Sequence, residues 1–199
     1  MSALAEIIDG FSKLRVMVIG DLMVDAYTWG KVTRISPEAP VPVVNVVKRE
    51  SRLGGAGNVV LNLASLGAQP MVFSVIGDDA TGQDLKAILA EAGLSVDGII
   101  QEAGRPTTIK ERVIAGSQQL LRVDSETEKA ISADSVASLV SAVKAAISNV
   151  DVIIFEDYVA KQDSNTSIKR VTKTLKSAEK VKIPIVPAAK RIIQKRKLS

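Results

Sequence analysis

Arg15-Val16-Met17-Val18-Ile19-Gly20 is a short apolar run that stops on a glycine, and it reads as a buried first strand after an N-terminal helix. Similar runs recur outward from it, at residues 72–76, 152–155 and 183–186. Helically spaced segments lie between these runs. Val59, Val60, Leu63, Ala64 and Leu66 follow Gly54-Gly55-Ala56-Gly57, and Gly67 stands where a C-terminal cap belongs. Leu85, Ile88, Leu89 and Ala92 fall at i, i+3, i+4 and i+7 before Gly93. Val136, Leu139, Val140, Val143 and Ile147 make a third helix, and Ile168, Val171, Leu175 and Ala178 a fourth. Strand alternating with helix predicts an α/β fold with a doubly wound, mainly parallel sheet.

Two stretches interrupt that alternation. Ile35-Ser36-Pro37-Glu38-Ala39-Pro40-Val41-Pro42 leads into the apolar residues 43–47. Proline cannot donate to a central ladder, so this stretch belongs to an edge or to a flap beside the main sheet. Residues 107–115 and 118–124 flank Gly116-Ser117, a pair suited to a type II′ hairpin turn.

The 199 residues suffice for one domain with a small appendage. Hydrophobic residues are 46% and charged ones 24%, which excludes wholesale disorder. Aromatics are only 3%, so Val, Ile, Leu and Ala must build the core, as in parallel strands covered by helices. The chain has neither cysteine nor histidine. That removes thiolate and imidazole nucleophiles, Ser-His-Asp triads and nearly all zinc sites. What remains suits phosphate chemistry with magnesium.

Residues 1–11 lack a basic-then-apolar signal pattern, and nowhere do 18 apolar residues run together, which points to a soluble, cytoplasmic protein with no membrane partner. The formal charge is +4, but residues 180–199 hold seven basic groups and no acid, leaving 19 basic against 22 acidic residues in the rest. The basicity is thus a property of the tail. No aromatic platform accompanies it, so a solvated terminus is expected there and a nucleic-acid partner is not.

Ligands of open parallel sheets sit beyond the carboxyl ends of the strands. Three acidic pairs fall at such ends: Asp21 with Asp25, Asp78 with Asp79, and Glu156 with Asp157. Each alone could be a turn former or a helix cap; three together point to a site. The glycine run is no Walker loop, since no Lys-Ser or Lys-Thr follows Gly57, and Val60 spoils a dinucleotide fingerprint. What remains is a tight turn into a helix N-terminus, either for packing or for close approach of a polyhydroxylated ligand. Asn58, opening that helix, offers a donor and an acceptor to hydroxyl groups.

Gly20-Asp21-Leu22-Met23-Val24-Asp25, Leu53-Gly54-Gly55-Ala56-Gly57-Asn58, Leu66-Gly67-Ala68 and Val75-Ile76-Gly77-Asp78-Asp79-Ala80-Thr81-Gly82 together resemble the N-terminal half of the ribokinase-like (pfkB) carbohydrate kinases. Arg34-Ile35-Ser36-Pro37-Glu38-Ala39-Pro40-Val41-Pro42-Val43, Gly104-Arg105-Pro106-Thr107-Thr108-Ile109-Lys110 and Gln118-Gln119-Leu120-Leu121-Arg122-Val123-Asp124 narrow the likeness to the kinase domains of bacterial ADP-heptose synthases. The resemblance implies ATP-dependent phosphorylation, with magnesium, of heptose 7-phosphate at C1, a step towards the lipopolysaccharide inner core.

By the same resemblance Asp25, Gly54, Gly55 and Asn58 hold sugar hydroxyls, and Asp157 is the acidic position facing substrate and, indirectly, magnesium. Segments 26–49 and 105–124 form a β lid that closes over the sugar and mediates a homodimer. A sugar already carrying phosphate needs cations, for which Lys110, Arg112 and Arg122 are candidates; the alternative for these three is a solvated strand face.

The pattern then breaks. Val159-Ala160-Lys161 stands where relatives have a lysine-glycine pair, and Pro187-Ala188-Ala189-Lys190-Arg191 where an aspartate, proline and lysine are expected. No Gly-Ala-Gly-Asp, the turn that carries the family's catalytic base, occurs in the chain. The expectation is an N-terminal kinase part over residues 1–186 with a basic tail over 187–199, unable to transfer phosphate by itself. The other reading is a non-catalytic relic that binds sugar phosphate or dimerises.

Overall fold

The computed structural model describes residues 10–156 and the backbone of the short strand Ile185–Pro187. Strand β1 (Arg15–Gly20) is buried from its second residue to its last. A strand apolar on both faces needs cover on both. Val16 and Val18 pack into one cluster with Val60, Leu85 and Leu89, whereas Met17 and Ile19 enter a second with Leu139, Val140 and Val143. Because side chains alternate from face to face, one hexapeptide serves two cores. Helices α1 (Ala56–Ser65) and α2 (Ala80–Glu91) supply the first cover and α3 (Ala133–Ala146) the second. This is the doubly wound arrangement that the alternation predicts.

Around β1 lie β4 (Gln69–Gly77), β5 (Ile99–Glu102), β8 (Val152–Glu156) and β9 (Ile185–Pro187), in the order β5-β4-β1-β8-β9. Every pairing is parallel, so all five strands point their carboxyl ends the same way. Sequence analysis finds no strand at β5, whose four residues at the sheet edge are too few for a pattern. The last strand, as described, includes Pro187, assigned above to the tail. As an edge strand, β9 tolerates that proline. The fourth helix, Asp157 and the basic tail beyond Pro187 lie outside the described residues.

A second sheet has the order β3-β2-β6-β7, from β2 (Leu22–Ile35), β3 (Pro42–Gly55), β6 (Ile109–Ala115) and β7 (Gln118–Ser125). The two interruptions seen in the sequence are therefore joined into one sheet, β6 running parallel to β2. Gly116, with φ 61°, makes the hairpin turn between β6 and β7. The first hairpin is longer than residues 26–49. It starts at Leu22 and ends at Gly55 because Leu22, Val24 and Leu53 drop into the first core cluster. Asp25 therefore lies inside a strand, directly after the core residue Val24, and not in a turn after β1. Among the described residues no helix is long and apolar enough to cross a membrane.

Candidate functional site

The carboxyl ends of β1, β4 and β8 point the same way and are followed or closed by Asp21, by Asp78 with Asp79, and by Glu156, but these acids differ in use. At β4, Asp79 caps α2. Its Oδ1 accepts from the Gly82 N–H at 2.8 Å and from the Thr107 hydroxyl at 2.6 Å, and its Oδ2 from the Thr107 N–H at 2.8 Å. Burial pushes this carboxyl up, yet those donors outweigh it and leave the pKa below the ordinary aspartate value. Asp78 accepts from the Gln101 amide at 3.2 Å. The second pair is thus spent on fastening local structure.

At β1, the glycine turn explains how Asp25 is held. Gly55 has φ 55°, and a Cβ there would collide with the Asp21 carbonyl oxygen, which accepts from the Ala56 N–H at 2.9 Å. The turn therefore packs directly on the end of β1. Gly54 serves a different purpose. A Cβ on it would stand 2.8 Å from Asp25 Oδ2, so the missing side chain leaves room for that carboxylate. On its other side, Asp25 Oδ1 accepts from Arg112 Nη1 at 2.6 Å. Asp25 and Arg112 are each about one-quarter exposed, so the pair is accessible.

Arg112 and Arg52 approach the Tyr27 ring to 5.4 and 5.1 Å, and Trp29 stacks on Tyr27 with centroids 6.2 Å apart. Residues 25, 27 and 29 alternate away from the core-facing 22, 24 and 26, so this array occupies the other side of the second sheet. Met23 shares that side. With Asp21, Arg105, Thr108, Glu126 and Thr127 it lines a cleft between the strand ends and the base of the second sheet.

The other two candidate cations are already committed. Lys110 is only 3% exposed, and its Nζ donates to Glu126 at 2.8 Å and Asp124 at 3.3 Å. Burial disfavours its charge, but Glu126 and Asp124 outweigh that and raise its pKa above the ordinary lysine value. Arg122 grips Asp124 bidentately, at 2.8 and 2.9 Å. Sequence reasoning missed the counter-ions because cross-strand register, not spacing, pairs Lys110 with Asp124. It also passed over Arg105, Glu126 and Thr127 as cleft residues, and Arg52. Arg105 contacts Glu102 at 3.6 Å and donates to the Lys129 carbonyl at 3.1 Å.

A model of the pfkB carbohydrate kinase family matches residues 13–197. The chain belongs to that family. Among curated relatives of this pfkB-family chain, Bifunctional protein HldE of Citrifermentans bemidjiense is 47% identical over 148 residues, covering 74% of this chain and 30% of the relative. Its counterpart in Pelobacter propionicus is 44% identical over 179 residues, covering 88% and 36%. The chain thus spans about a third of the length of these relatives. A ribokinase of Arabidopsis thaliana, solved with ribose and ATP, superposes with a TM-score of 0.59 at 16% identity, covering 87% of this chain and 53% of that one. At that identity it establishes the fold, which is ribokinase-like.

Set on this pfkB-family fold, the expected sugar-binding residues divide. Asp25, Gly54 and Gly55 are brought together at the base of the second sheet. Asn58 follows the Gly55 turn, in the first turn of α1. It is the third residue of α1, not its opener, because the Gly55 turn starts the helix at Ala56. Asn58 is exposed, and its side-chain oxygen accepts from Asn62 one turn on, at 3.5 Å. Asp157, expected to face substrate and magnesium, lies outside the described residues. Among the described residues no group of three or more acidic side chains is placed to hold a metal ion.

Proposed function

We propose that this chain is the sugar-binding part of an ATP-dependent kinase that phosphorylates heptose 7-phosphate at C1, on the route to ADP-heptose and the lipopolysaccharide core. The observation that carries the reading is the Asp25 carboxylate, fixed between Gly54 and Arg112 and two residues along β2 from Met23, which lines the cleft at the strand ends. A carboxylate is an acceptor for several hydroxyls, and a ligand that fits must present them from the open side. The likeness to proteins named Bifunctional protein HldE supports a heptose as that ligand. In the complete enzyme ATP supplies the phosphoryl group and magnesium offsets its charge.

This polypeptide alone binds sugar phosphate and transfers little or nothing, since none of its 199 residues forms the Gly-Ala-Gly-Asp turn that holds the base. A homodimer through the second sheet belongs to the same proposal. Val46, Val47, Leu121 and Val123 are exposed on that sheet. Register places Val46 opposite Gly30, and Leu121 and Val123 opposite Val113 and Glu111, on the side away from Asp25. The test is isothermal titration of heptose 7-phosphate, fructose 6-phosphate and ribose into the full chain and into Asp25→Asn. Heptose 7-phosphate is expected to bind best, and Asp25→Asn to weaken it roughly tenfold or more, the worth of a hydrogen bond to a charged group. Preference for unphosphorylated ribose, or indifference to Asp25→Asn, sinks the reading.

A further inference from the structure

Phosphorylated and unphosphorylated sugars differ by a dianion, so the side of the second sheet that carries Asp25 must supply a cation able to meet it. Lys110 and Arg122 are paired with Asp124 and Glu126 in a cluster of two positive and two negative groups. Lys110 is buried there as well, so a phosphate reaching it would have to displace a carboxylate and lose water in doing so. Arg112 holds Asp25. On β3, by contrast, Lys48 and Arg52 share the single carboxylate of Glu50, and both are more than half exposed, at 63% and 58%. That cluster carries an excess positive charge facing water.

Its position also fits. Arg52 is the register partner of Asp25 across β2 and β3, and side chains directly opposite on an antiparallel pair start about 5 Å apart at Cβ. Lys48 and Glu50 follow on the same side at period two, opposite Trp29 and Tyr27. The Tyr27 ring, 5.1 Å from the Arg52 guanidinium, holds that group against the array by a cation–π contact. A guanidinium so held offers two parallel donors to a phosphate, as an ammonium cannot.

We propose that Arg52, with Lys48 beside it, receives the phosphate that the sugar already carries, while Lys110 and Arg122 serve only to hold β6 and β7 together. This rests on the reading that Asp25 binds the sugar's hydroxyls. The test is titration of heptose 7-phosphate and of unphosphorylated heptose into the full chain, into the double variant Lys48→Gln/Arg52→Gln, into Arg122→Gln and into Asp25→Asn, with Trp29 fluorescence as a second readout. The wild-type chain is expected to prefer the phosphorylated sugar by roughly tenfold or more.

The double variant loses that preference and binds both sugars alike, Arg122→Gln keeps it within about twofold, and Asp25→Asn weakens both sugars together. A double variant that keeps the preference, or an Arg122→Gln chain that loses it, overturns the assignment while leaving the sugar-binding reading standing. A wild-type chain that binds neither sugar, or an Asp25→Asn chain that binds both unchanged, removes that reading and this assignment with it.

Discussion

The main sheet and the second sheet meet at Leu22 and Gly55, yet they spend their side chains differently. Strand β1 gives both faces to apolar cores and leaves only Arg15 exposed at its start. Strand β2 begins in the same way, with Leu22, Met23 and Val24 buried, and then turns half-buried and polar from Asp25 onward. Its far side carries the Asp25–Arg112 pair and the Tyr27 array, while β7 exposes Leu121 and Val123. Burial without polar partners makes a rigid platform. A half-buried sheet with paired charges gives up that rigidity for chemistry, and its position is fixed only where it roots in the platform.

Truncating one apolar side chain in each region should expose this difference most strongly. Leu89→Ala, at a fully buried position of α2 packed in the first core cluster, is expected to cost about 2–5 kcal/mol in urea unfolding. Val47→Ser, at 69% exposure on the second sheet, should change monomer stability by less than about 0.5 kcal/mol. The second substitution should instead lower the dimer fraction in sedimentation. Equal losses of stability from the two would mean that the second sheet is as closely packed as the first.

How far the sequence reveals this contrast follows from the same physics. The platform is legible because burial on both faces forces continuous apolar runs, as at residues 15–20 and 152–155, and helices with one apolar stripe. The strand β5 escapes because four edge residues carry no period. In the site, Asp25 and the glycine turn were visible as motif residues. Their meeting was not, since it depends on the register of β2 with β3. The Lys110 counter-ions and Arg52 escape for the same reason. The helix-cap alternative for Asp79 was open in the sequence, whereas its tie to Thr107, 28 residues on, was not legible there.

That cap joins the two regions, and it offers a smaller effect with a defined pH dependence. Thr107, nearly fully buried, also accepts from the Gly77 N–H at 3.0 Å, so Asp79 ties the end of β4 to the segment entering β6. Asp79→Asn replaces an acceptor oxygen by a donor facing existing donors and should cost about 1 kcal/mol at pH 7, as lost caps do. The folded-state pKa of Asp79 is depressed, so its contribution is present above the unfolded value of about 3.9 and is lost as pH falls through the lower folded value. Wild type should therefore lose more stability than Asp79→Asn between neutral pH and acid, and the two denaturation curves should converge. Parallel curves would show that the carboxylate does not carry the tie.

The smallest effect is expected at the opposite end of β1, where Arg15 and Asp151 form a pair at 2.9 Å open to solvent. The Arg15 guanidinium, mainly by its hydrogen bonds, holds the Asp151 carboxyl at about 2. The sign matches that of Asp79. Stability from the pair is complete above the unfolded aspartate value and lost as pH drops towards about 2. The magnitude should not match, because water and salt screen an exposed pair whereas Thr107 and two amides enclose Asp79. Asp151→Asn should accordingly shift the acid limb of the unfolding profile slightly at low ionic strength and not at all in molar salt, while the Asp79→Asn shift survives salt. If both shifts vanish together in salt, the fastening at β4 is a surface effect, and the second sheet is rooted by its apolar residues alone.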